Sequence, residues 1–521
     1  MKKKVLLTTI HRPLGIDSET CTKNILAEPY NAQITLAQGV FSLRTVCNGW
    51  GLEFIASNIN TPTTVLHYPT KRIFIKELKK GYDYVGIGFV VCTFPKAIEL
   101  CELVRREAPD TKIVLGGYGT VLEECDQYAD YVCREEGVNF LKRLIGEDRV
   151  DNFKIPLIKR PLKIMSVPSK QEVIIPTGLG CSRGCDFCCT SHFFDRRYYP
   201  LLKTGREIHE VMYSADFSKN NIMNVSFIDE DFLADRKKIT EMARLNSQEI
   251  EKPILFNCFS TLQSLSQYTI EELLSMGLSG VWVGVESKKA DYPKLRNIDV
   301  AQMINDLKNA GINVLISMII GYDWHDEKTV EEDIQYLLSL KPTLSQFMLY
   351  SPCPQTPLYS KMKEENRLLD VPYRYQDGFH ALFKHPHFST EELENLIMQF
   401  FKREYEELGP AIFRVLEVQL KGYEFIKNNP NPLFRMRARE YKKIYLKIYP
   451  LLKIGIKKAP SLKVKQYLKE LKERVEDRFQ ISARERLEEC VAPVLYFYTA
   501  LHNRINPRPQ PRSKILRYNF N

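Results

Sequence analysis

Three cysteines stand close together on one glycine-rich stretch of the sequence: Cys181, Cys185 and Cys188. Thiolates at this C-x3-C-x2-C spacing can reach three corners of an iron–sulfur cube, for which cysteine is the usual ligand. The fourth iron of a [4Fe–4S] cluster would then stay open to a cofactor or substrate. Glycines at Gly178, Gly180 and Gly184 allow the loop to fold tightly around a bulky inorganic core.

A zinc site that also uses Cys189 is the alternative for this loop. Structural zinc prefers a closed tetrahedral set of ligands drawn from two separated pairs. The adjacent Cys188 and Cys189 would point apart, so the spacing favours a cluster over zinc. The sequence has 13 cysteines, and the others, including Cys47, Cys258 and Cys490, are interpreted as core residues or bystanders.

The cysteine loop resembles that of the radical S-adenosylmethionine (SAM) superfamily, including an aromatic residue, Phe187, before the third cysteine. The resemblance extends over roughly residues 172–360. It implies that SAM chelates the open iron, that the reduced cluster cleaves SAM, and that a deoxyadenosyl radical abstracts hydrogen from a substrate. An external electron donor of the flavodoxin or ferredoxin type would then be a partner.

Two downstream motifs with acidic residues belong to this resemblance. The stretch Phe227–Phe232 resembles the acidic segment near the methionine group of SAM, which implies a role for Asp231. The stretch Val283–Ser287 resembles the strand motif whose glutamate, here Glu286, contacts SAM. Ordinary strand-end charges remain the alternative for both residues.

Two further motifs concern loop shape. Met318–Gly321 resembles a glycine-ended fifth strand, which implies that Gly321 lies at the cofactor site. Pro354–Leu358 stands where relatives often carry Pro-Gly-Thr, and Gln355 replaces the glycine there. We expect this replacement to change the loop.

Residues 171–375, which carry these motifs, alternate strand-like and helix-like segments. Six strand–helix units predict a partial (β/α)6 barrel with its site at the carboxyl ends of the strands. The predicted strands are Glu172–Pro176, Val225–Ile228, Ile254–Cys258, Gly280–Val285, Asn313–Ile319 and Leu344–Leu349. Residues 151–170 hold three prolines and several lysines and are predicted to be a linker.

Residues 1–150 are predicted to form a doubly wound, Rossmann-like α/β domain. The predicted strands are Lys4–Ile10, Gly51–Ile55, Tyr84–Val91, Lys112–Leu115 and Tyr131–Arg134. Ligands of such sheets bind beyond the carboxyl ends of the strands, where Thr93, Gly116 and Gly117 stand. A sheet whose glycines only make turns is the alternative.

A doubly wound domain before a radical SAM barrel resembles the cobalamin-binding branch of the superfamily, and Val114–Gly117 and Asp130–Gly137 carry the similarity. Cobalamin is therefore an expected cofactor, and methylation of an unactivated carbon is the expected reaction. The D-x-H-x-x-G signature is missing, so we do not expect His11 to bind cobalt. Cobalamin-independent coupling, cyclisation or rearrangement is the alternative chemistry.

Residues 376–521 are predicted to form a helical, basic C-terminal domain, with 27 Lys and Arg against 13 Asp and Glu after residue 400. The segment 435–469 interleaves twelve basic residues with aliphatic and tyrosine side chains, which suits peripheral contact with an anionic membrane. Nucleic acid is the less favoured partner. A basic helix with its apolar face in the core is equally compatible.

The C-terminal part also resembles, more loosely, lipid-acting members such as hopanoid methylases. Three short strings carry this similarity: His385–Phe388, Leu408–Pro410 and Asn429–Pro432. They imply an apolar small-molecule or lipid substrate. A metal-stabilised nucleic-acid-binding protein without turnover is the alternative from another functional class.

The composition is ordinary for a globular protein, with 44% hydrophobic and 26% charged residues. A length of 521 residues predicts several domains. The apolar stretch Val5–Ile10 is too short for a signal peptide, and no apolar run is long enough to span a membrane. A cytoplasmic location is expected, where thiols stay reduced.

Overall fold

The computed structural model describes residues 3–14, 34–42, 49–164, 167–214, 222–249, 254–506 and 510–520. In this part of the chain, two large α/β sheets are followed by a group of helices. The predicted class, a Rossmann-like sheet, a partial barrel and a helical C-terminal region, is confirmed.

The first sheet, here called the N-terminal sheet, has the strand order β15-β2-β1-β3-β4-β5. Its strands are β1 Val5–Thr9, β2 Thr63–His67, β3 Tyr84–Gly88, β4 Lys112–Gly116, β5 Tyr131–Val132 and β15 Lys514–Tyr518. Its helices are α1 Trp50–Ser57, α2 Lys71–Leu78, α3 Phe94–Glu107 and α4 Gly137–Ile145. Strands β1 to β5 pair in parallel, which places all their carboxyl ends at one edge.

One predicted strand of this sheet is wrong, because Gly51–Ile55 lies within helix α1. Short apolar runs do not distinguish a strand from a buried helix by pattern alone. In the helix, Leu52, Phe54 and Ala56 are all buried. The strand in this region is β2, which the sequence analysis missed although all five of its residues are buried.

The second sheet, here called the barrel sheet, has the order β14-β13-β12-β11-β10-β7-β6. Its strands are β6 Ile158–Ile164, β7 Val167–Ile175, β10 Ile222–Phe227, β11 Phe256–Phe259, β12 Leu278–Glu286, β13 Asn313–Ile320 and β14 Leu344–Leu349. Strand β7 and strands β10 to β14 pair in parallel, as the six predicted units require.

Shorter elements and helices complete this region. A two-stranded ribbon joins β8 Gly178–Leu179 to β9 Tyr199–Pro200. The helices are α5 Cys189–Phe193, α6 Gly205–Ser214, α7 Arg236–Gln248, α8 Leu262–Leu265, α9 Ile270–Ser275, α10 Val300–Asn309, α11 Glu327–Leu340 and α12 Pro357–Glu364.

Most of the predicted linker is strand. β6 pairs antiparallel with β7 and adds an edge strand to the barrel sheet. The register shifts between Pro161 and Lys163, as a proline in an edge strand allows. An ion pair between Arg160 and the buried Glu172 joins the two strands, so this segment is an integral part of the sheet.

The C-terminal helices are α13 Thr390–Leu408, α14 Ala411–Ile426, α15 Pro432–Ile448, α16 Leu452–Lys457, α17 Leu462–Arg478 and α18 Ala483–Ile505. Helices α14 to α18 enclose a separate apolar core. In segment 435–469, Tyr449, Leu452 and Ile454 are fully or almost fully buried in this core. Apart from the exposed Leu462, most apolar side chains described in this segment therefore face the protein, and its lysines lie at the surface.

The chain does not end in the helical region. Strand β15 returns to the N-terminal sheet and pairs antiparallel with β2. Arg517 donates hydrogen bonds to the Glu77 carboxylate on α2 at 2.6 Å, and Lys514 lies 3.3 Å from Glu53 on α1. None of the helices in the described ranges is long and apolar enough to cross a membrane.

Candidate active site

The three cysteines lie on the loop that follows β7, here called the cluster loop (residues 178–188). Buried Asp229, just after β10, accepts hydrogen bonds from the Thr177 amide at 2.9 Å and the Thr177 hydroxyl at 2.7 Å, which fixes the start of the loop. Gly180 and Gly184 have φ values of +79° and +69°, a conformation that favours glycine. The loop is thus folded back over the carboxyl end of the barrel sheet.

Helix α5 holds the loop from its far side. The Ser191 hydroxyl donates to the Cys181 carbonyl at 2.7 Å and accepts from the Gly184 amide at 3.0 Å. The His192 ring lies 3.1 Å from the Cys185 carbonyl. These bonds order the backbone and leave the thiols available.

The cysteine thiols are partly buried and lie close enough to influence one another. Burial, followed by the charges of Glu230 and the other two thiolates, raises the pKa of Cys188 to about 12. Burial also raises the pKa of Cys181 and Cys185. Thiols of this kind ionise when a metal binds them. No three His, Cys, Asp or Glu side chains within the described ranges converge on a point where they would share one metal ion.

The predicted residue Asp231 acts as a clamp within the protein. Its carboxylate accepts hydrogen bonds from Arg183 on the cluster loop at 2.6 Å and 3.0 Å, and from the Thr261 amide at 3.0 Å. The hydroxyls of Thr261, Ser260 and Ser264 add three more bonds. Asp231 therefore ties the cluster loop to the start of α8.

The neighbouring Glu230, which the sequence analysis did not single out, acts electrostatically on Cys181 and Cys188. The Glu230 side chain keeps some contact with solvent. The dense protein around its carboxyl group nevertheless removes most of the hydration of the charged form, and this desolvation raises the pKa of Glu230. It also contributes to the raised pKa of Cys188, Cys181 and Tyr118. Nothing in a single sequence distinguishes it from Asp231 one position later.

Glu286 ends β12 with a φ of +65° and forms a buried ion pair with Lys294. Burial alone would lower the pKa of Lys294, but the charges of Glu286 and Cys185 raise it above its usual value. Lys294 is a second residue that the sequence analysis missed. Its cation lies between the predicted SAM-contacting glutamate and the cluster loop.

Phe187 belongs to an aromatic wall beside the cluster loop. Its ring packs edge-on against Tyr292 at 5.7 Å and Tyr350 at 6.2 Å between centroids. Both tyrosine hydroxyls donate to the carboxylate of Asp186, at 2.9 Å from Tyr292. Gly321, with a φ of +94°, lies at the end of β13 beside this wall.

Gln355 joins the two sheets. It keeps a φ of +67°, which a glycine would adopt without strain. Its side-chain amide donates a hydrogen bond to the Val121 carbonyl, which follows strand β4 of the N-terminal sheet, at 3.1 Å. Gln355 thus takes a backbone conformation that favours glycine and adds a contact to Val121.

A cavity of about 780 Å³, here called the inter-sheet cavity, lies beyond the carboxyl ends of β1, β3 and β4. The predicted residues Thr93, Gly116 and Gly117 all line it. Gly117 has a φ of +91°, and a Cβ there would lie 2.6 Å from the Phe89 carbonyl. Glycine is therefore required at this position.

The opposite wall of this cavity comes from the cluster-loop region. Leu179, Phe193 and Phe194 line the cavity. Tyr118, which follows β4, packs edge-on against Phe193 at 5.1 Å between ring centroids. The structure thus brings the cavity residues Thr93, Gly116 and Gly117 close to the cluster loop. Helix α5 contacts the cluster loop through Ser191 and lines the cavity through Phe193.

His11 is buried and does not line the inter-sheet cavity. One of its ring nitrogens lies 3.1 Å from Glu99, and the other lies 3.3 Å from the Arg12 carbonyl. Burial, followed by the charge of Lys96, lowers the pKa of His11. Both ring nitrogens therefore have hydrogen-bond partners within the protein.

Comparison with known families identifies the barrel sheet. Residues 175–337 match the radical SAM superfamily. The chain is 23% identical over 340 residues to an uncharacterised methyltransferase of Pyrococcus horikoshii, covering 60% of this chain and 71% of that one. It is 25% identical to the hopanoid C-2 methylase of Rhodopseudomonas palustris over 43% of each chain. It is 22% identical to a bacteriochlorophyllide d C-12(1)-methyltransferase of Chlorobaculum tepidum over 65% of this chain and 77% of that one.

A solved structure shares the fold across both sheets. It is the radical SAM methyltransferase TsrM from Kitasatospora setae, described with cobalamin and a [4Fe–4S] cluster bound. The TM-score is 0.53 at 14% identity, over 85% of this chain and 99% of TsrM. The family match covers the loop with the three cysteines and the strands that follow it, and residues 175–337 are therefore a radical SAM domain.

Proposed function

We propose that this enzyme methylates an unactivated carbon and uses a [4Fe–4S] cluster, SAM and cobalamin. The observation that carries the proposal is the inter-sheet cavity, which lies between the glycine-lined strand ends of one sheet and the cluster loop of the other. The methyltransferases among the relatives, and the cobalamin bound by TsrM, support the choice of reaction and cofactor.

In this proposal, the ligands of the cluster are Cys181, Cys185 and Cys188. Three thiols on one ordered loop fit a cluster with one open iron. A bound cluster supplies the electron that cleaves SAM. The Arg183–Asp231 clamp holds the loop in position, and Ser191 on α5 fixes its backbone.

The SAM site would lie between the cluster loop and the ends of β12 and β13. The Glu286 carboxylate, oriented by Lys294, is placed to accept hydrogen bonds from the cofactor. The positive φ at Gly321 favours glycine at the turn that follows β13. Asp231 would act on SAM only through the loop that it clamps.

The inter-sheet cavity fits the size of a large cofactor, since ligand pockets span roughly 300–1,000 Å³. Gly116 and Gly117 would let the backbone approach a corrin ring closely, and Thr93 lies at the same rim. Bound cobalamin supplies a carrier for the methyl group. The aromatic side chains Phe193 and Phe194 would exclude water between the cavity and the cluster loop.

The proposed substrate is an apolar small molecule or lipid, and the proposed electron donor is a cytoplasmic flavodoxin or ferredoxin. The hopanoid methylase among the relatives supports a lipid, whereas another structure of TsrM holds tryptophan. Any contact of residues 435–469 with an anionic membrane would rest mainly on basic charge and would weaken with salt, because most described apolar side chains of that segment, Leu462 excepted, face inward.

Anaerobic purification tests the proposal. We expect protein that contains a [4Fe–4S] cluster, forms 5′-deoxyadenosine from SAM when reduced, and retains hydroxocobalamin through gel filtration. Loss of corrinoid from protein with an intact cluster would contradict the cobalamin part and favour radical coupling or rearrangement. Stoichiometric zinc without iron would contradict the cluster assignment.

A further inference from the structure

Helix α18 carries two apolar faces, and the fold uses one of them. Ala492, Leu495 and Tyr496 pack into the C-terminal core. A second set of apolar side chains faces solvent, and each member is more than half exposed. Six of these side chains, here called the α18 stripe, follow one line along the helix, and Phe497 is exposed beside them: Leu487, Val491, Val494, Tyr498, Leu501 and Ile505.

The spacing along the α18 stripe is regular. Its members are alternately four and three residues apart, which is the a/d repeat of a coiled-coil seam. The helix continues through Pro493, which lies outside this repeat. A single surface helix needs one apolar face to join its own core. A second seam with heptad spacing points to another helix.

We propose that the α18 stripe is a homodimer interface in which α18 of two copies pairs antiparallel. A two-fold axis near Tyr496 would place Leu487 opposite the partner's Ile505. It would also place Val494 opposite the partner's Tyr498. Such an isologous contact uses the same surface twice and closes on itself.

The charges flanking the stripe favour the antiparallel orientation. The first turns of α18 carry three acids, Glu485, Glu488 and Glu489, against two arginines, Arg484 and Arg486, whereas its last turn carries only basic residues, His502 and Arg504. Antiparallel pairing brings Glu488 near the partner's His502, and it also aligns the helix dipoles favourably.

Two further observations favour a second copy over a membrane surface. The stripe exposes on the order of 700 Å² per chain, close to the roughly 800 Å² per partner of a standard interface. Helix α18 carries three acids and three arginines, whereas helices that lie on membranes are rich in Lys and Arg.

Sedimentation equilibrium of the full chain, purified anaerobically, tests the interface. Wild type should show about twice the chain mass of 60.7 kDa. The V494E/L501E variant should be monomeric, because it buries two unpaired charges at the seam. L462E is the matched control, because Leu462 is a highly exposed apolar residue outside the stripe, and this variant should remain dimeric.

A crosslink tests the orientation. Cys490 is exposed beside the seam, and antiparallel pairing places it near the partner's Arg504. Oxidation of R504C should therefore yield covalent dimers, and the C490A/R504C variant should not. A monomeric wild type, a dimeric V494E/L501E variant, or stripe-dependent binding of monomers to neutral vesicles would overturn the proposal.

Discussion

The barrel sheet and the N-terminal sheet both place their sites beyond the carboxyl ends of parallel strands, but they build those sites differently. The barrel sheet gathers ionisable groups, such as Cys188, Glu286 and Lys294. The N-terminal sheet lines its cavity with glycines and apolar side chains. A site made of side-chain chemistry is sensitive to charge, whereas a site made of backbone shape is sensitive to a single added methyl group.

The largest expected effect concerns the cysteines. Alanine at Cys181, Cys185 or Cys188 should abolish the iron signal and the formation of 5′-deoxyadenosine, because each removes one of three ligands. Cys189→Ala is the control: this thiol is near Cys353 and should leave most of the iron in place. Iron content after anaerobic reconstitution measures both. Equal iron loss in the control would contradict the assignment of ligands.

The next largest expected effect concerns the buried ion pair between Lys294 and Glu286. Lys294→Met leaves the Glu286 carboxylate buried without its cation and should lower the free energy of unfolding by about 3–5 kcal/mol. The K294M/E286Q double variant should lose less, because it removes both charges. The matched control is Arg296→Met, whose pair with Asp291 is exposed and should contribute little to the free energy of unfolding. Urea unfolding would measure all three, and equal losses for Lys294→Met and Arg296→Met would contradict the buried pair.

A methyl group added at Gly117 should weaken corrinoid binding in the inter-sheet cavity. Gly117→Ala forces a Cβ against the Phe89 carbonyl in a left-handed conformation, at a cost of about 1–3 kcal/mol. It should release corrinoid but leave the iron content unchanged. Gly146→Ala is the control, because Gly146 also has a positive φ but has open space around it at the end of α4. Equal corrinoid retention in both variants would remove Gly117 from the site.

The smallest expected effect concerns strand β15. Burial alone would raise the pKa of Glu77, but hydrogen bonds from Arg517, Tyr82 and Lys80 lower it from 4.5 to about 2. A depressed pKa stabilises the fold above pH 4.5, and this contribution is lost as the pH falls towards 2. Hydrogen exchange should therefore show falling protection of the β15 amides in this range.

Glu77→Gln should flatten that pH dependence. Glu331→Gln should leave it intact, because the Glu331–Arg403 pair is exposed and far along the chain from β15. An unchanged pH profile in Glu77→Gln would show that this carboxylate does not hold the strand.

The same contrast explains what could be predicted from the sequence. The six parallel strands of the barrel sheet and the cysteine loop were predictable, because buried strands and closely spaced thiols leave local patterns. Strand β15 was not, since it pairs with a strand more than 440 residues earlier in the chain. Lys294 was missed because it pairs with Glu286 only when the loop after β12 folds back.

In the C-terminal region, composition alone does not predict which apolar side chains are exposed. Basic and apolar residues in segment 435–469 suited a membrane face, but the helices described there turn most of their apolar side chains, Leu462 excepted, into the protein. The exposed apolar surface lies on α18 instead, where the heptad spacing is present in the sequence. Only the structure shows which of the two faces of α18 is already covered.

The central claim is that a corrinoid in the inter-sheet cavity lies next to the cluster, with no histidine of the protein on cobalt. Paramagnetic resonance of the reduced enzyme loaded with both groups tests it most directly. We expect Co(II) and cluster signals that broaden each other when both are present, and a cobalt signal without nitrogen splitting from a protein ligand. Two unperturbed signals that simply add, or nitrogen splitting that disappears in His11→Ala, would contradict the claim.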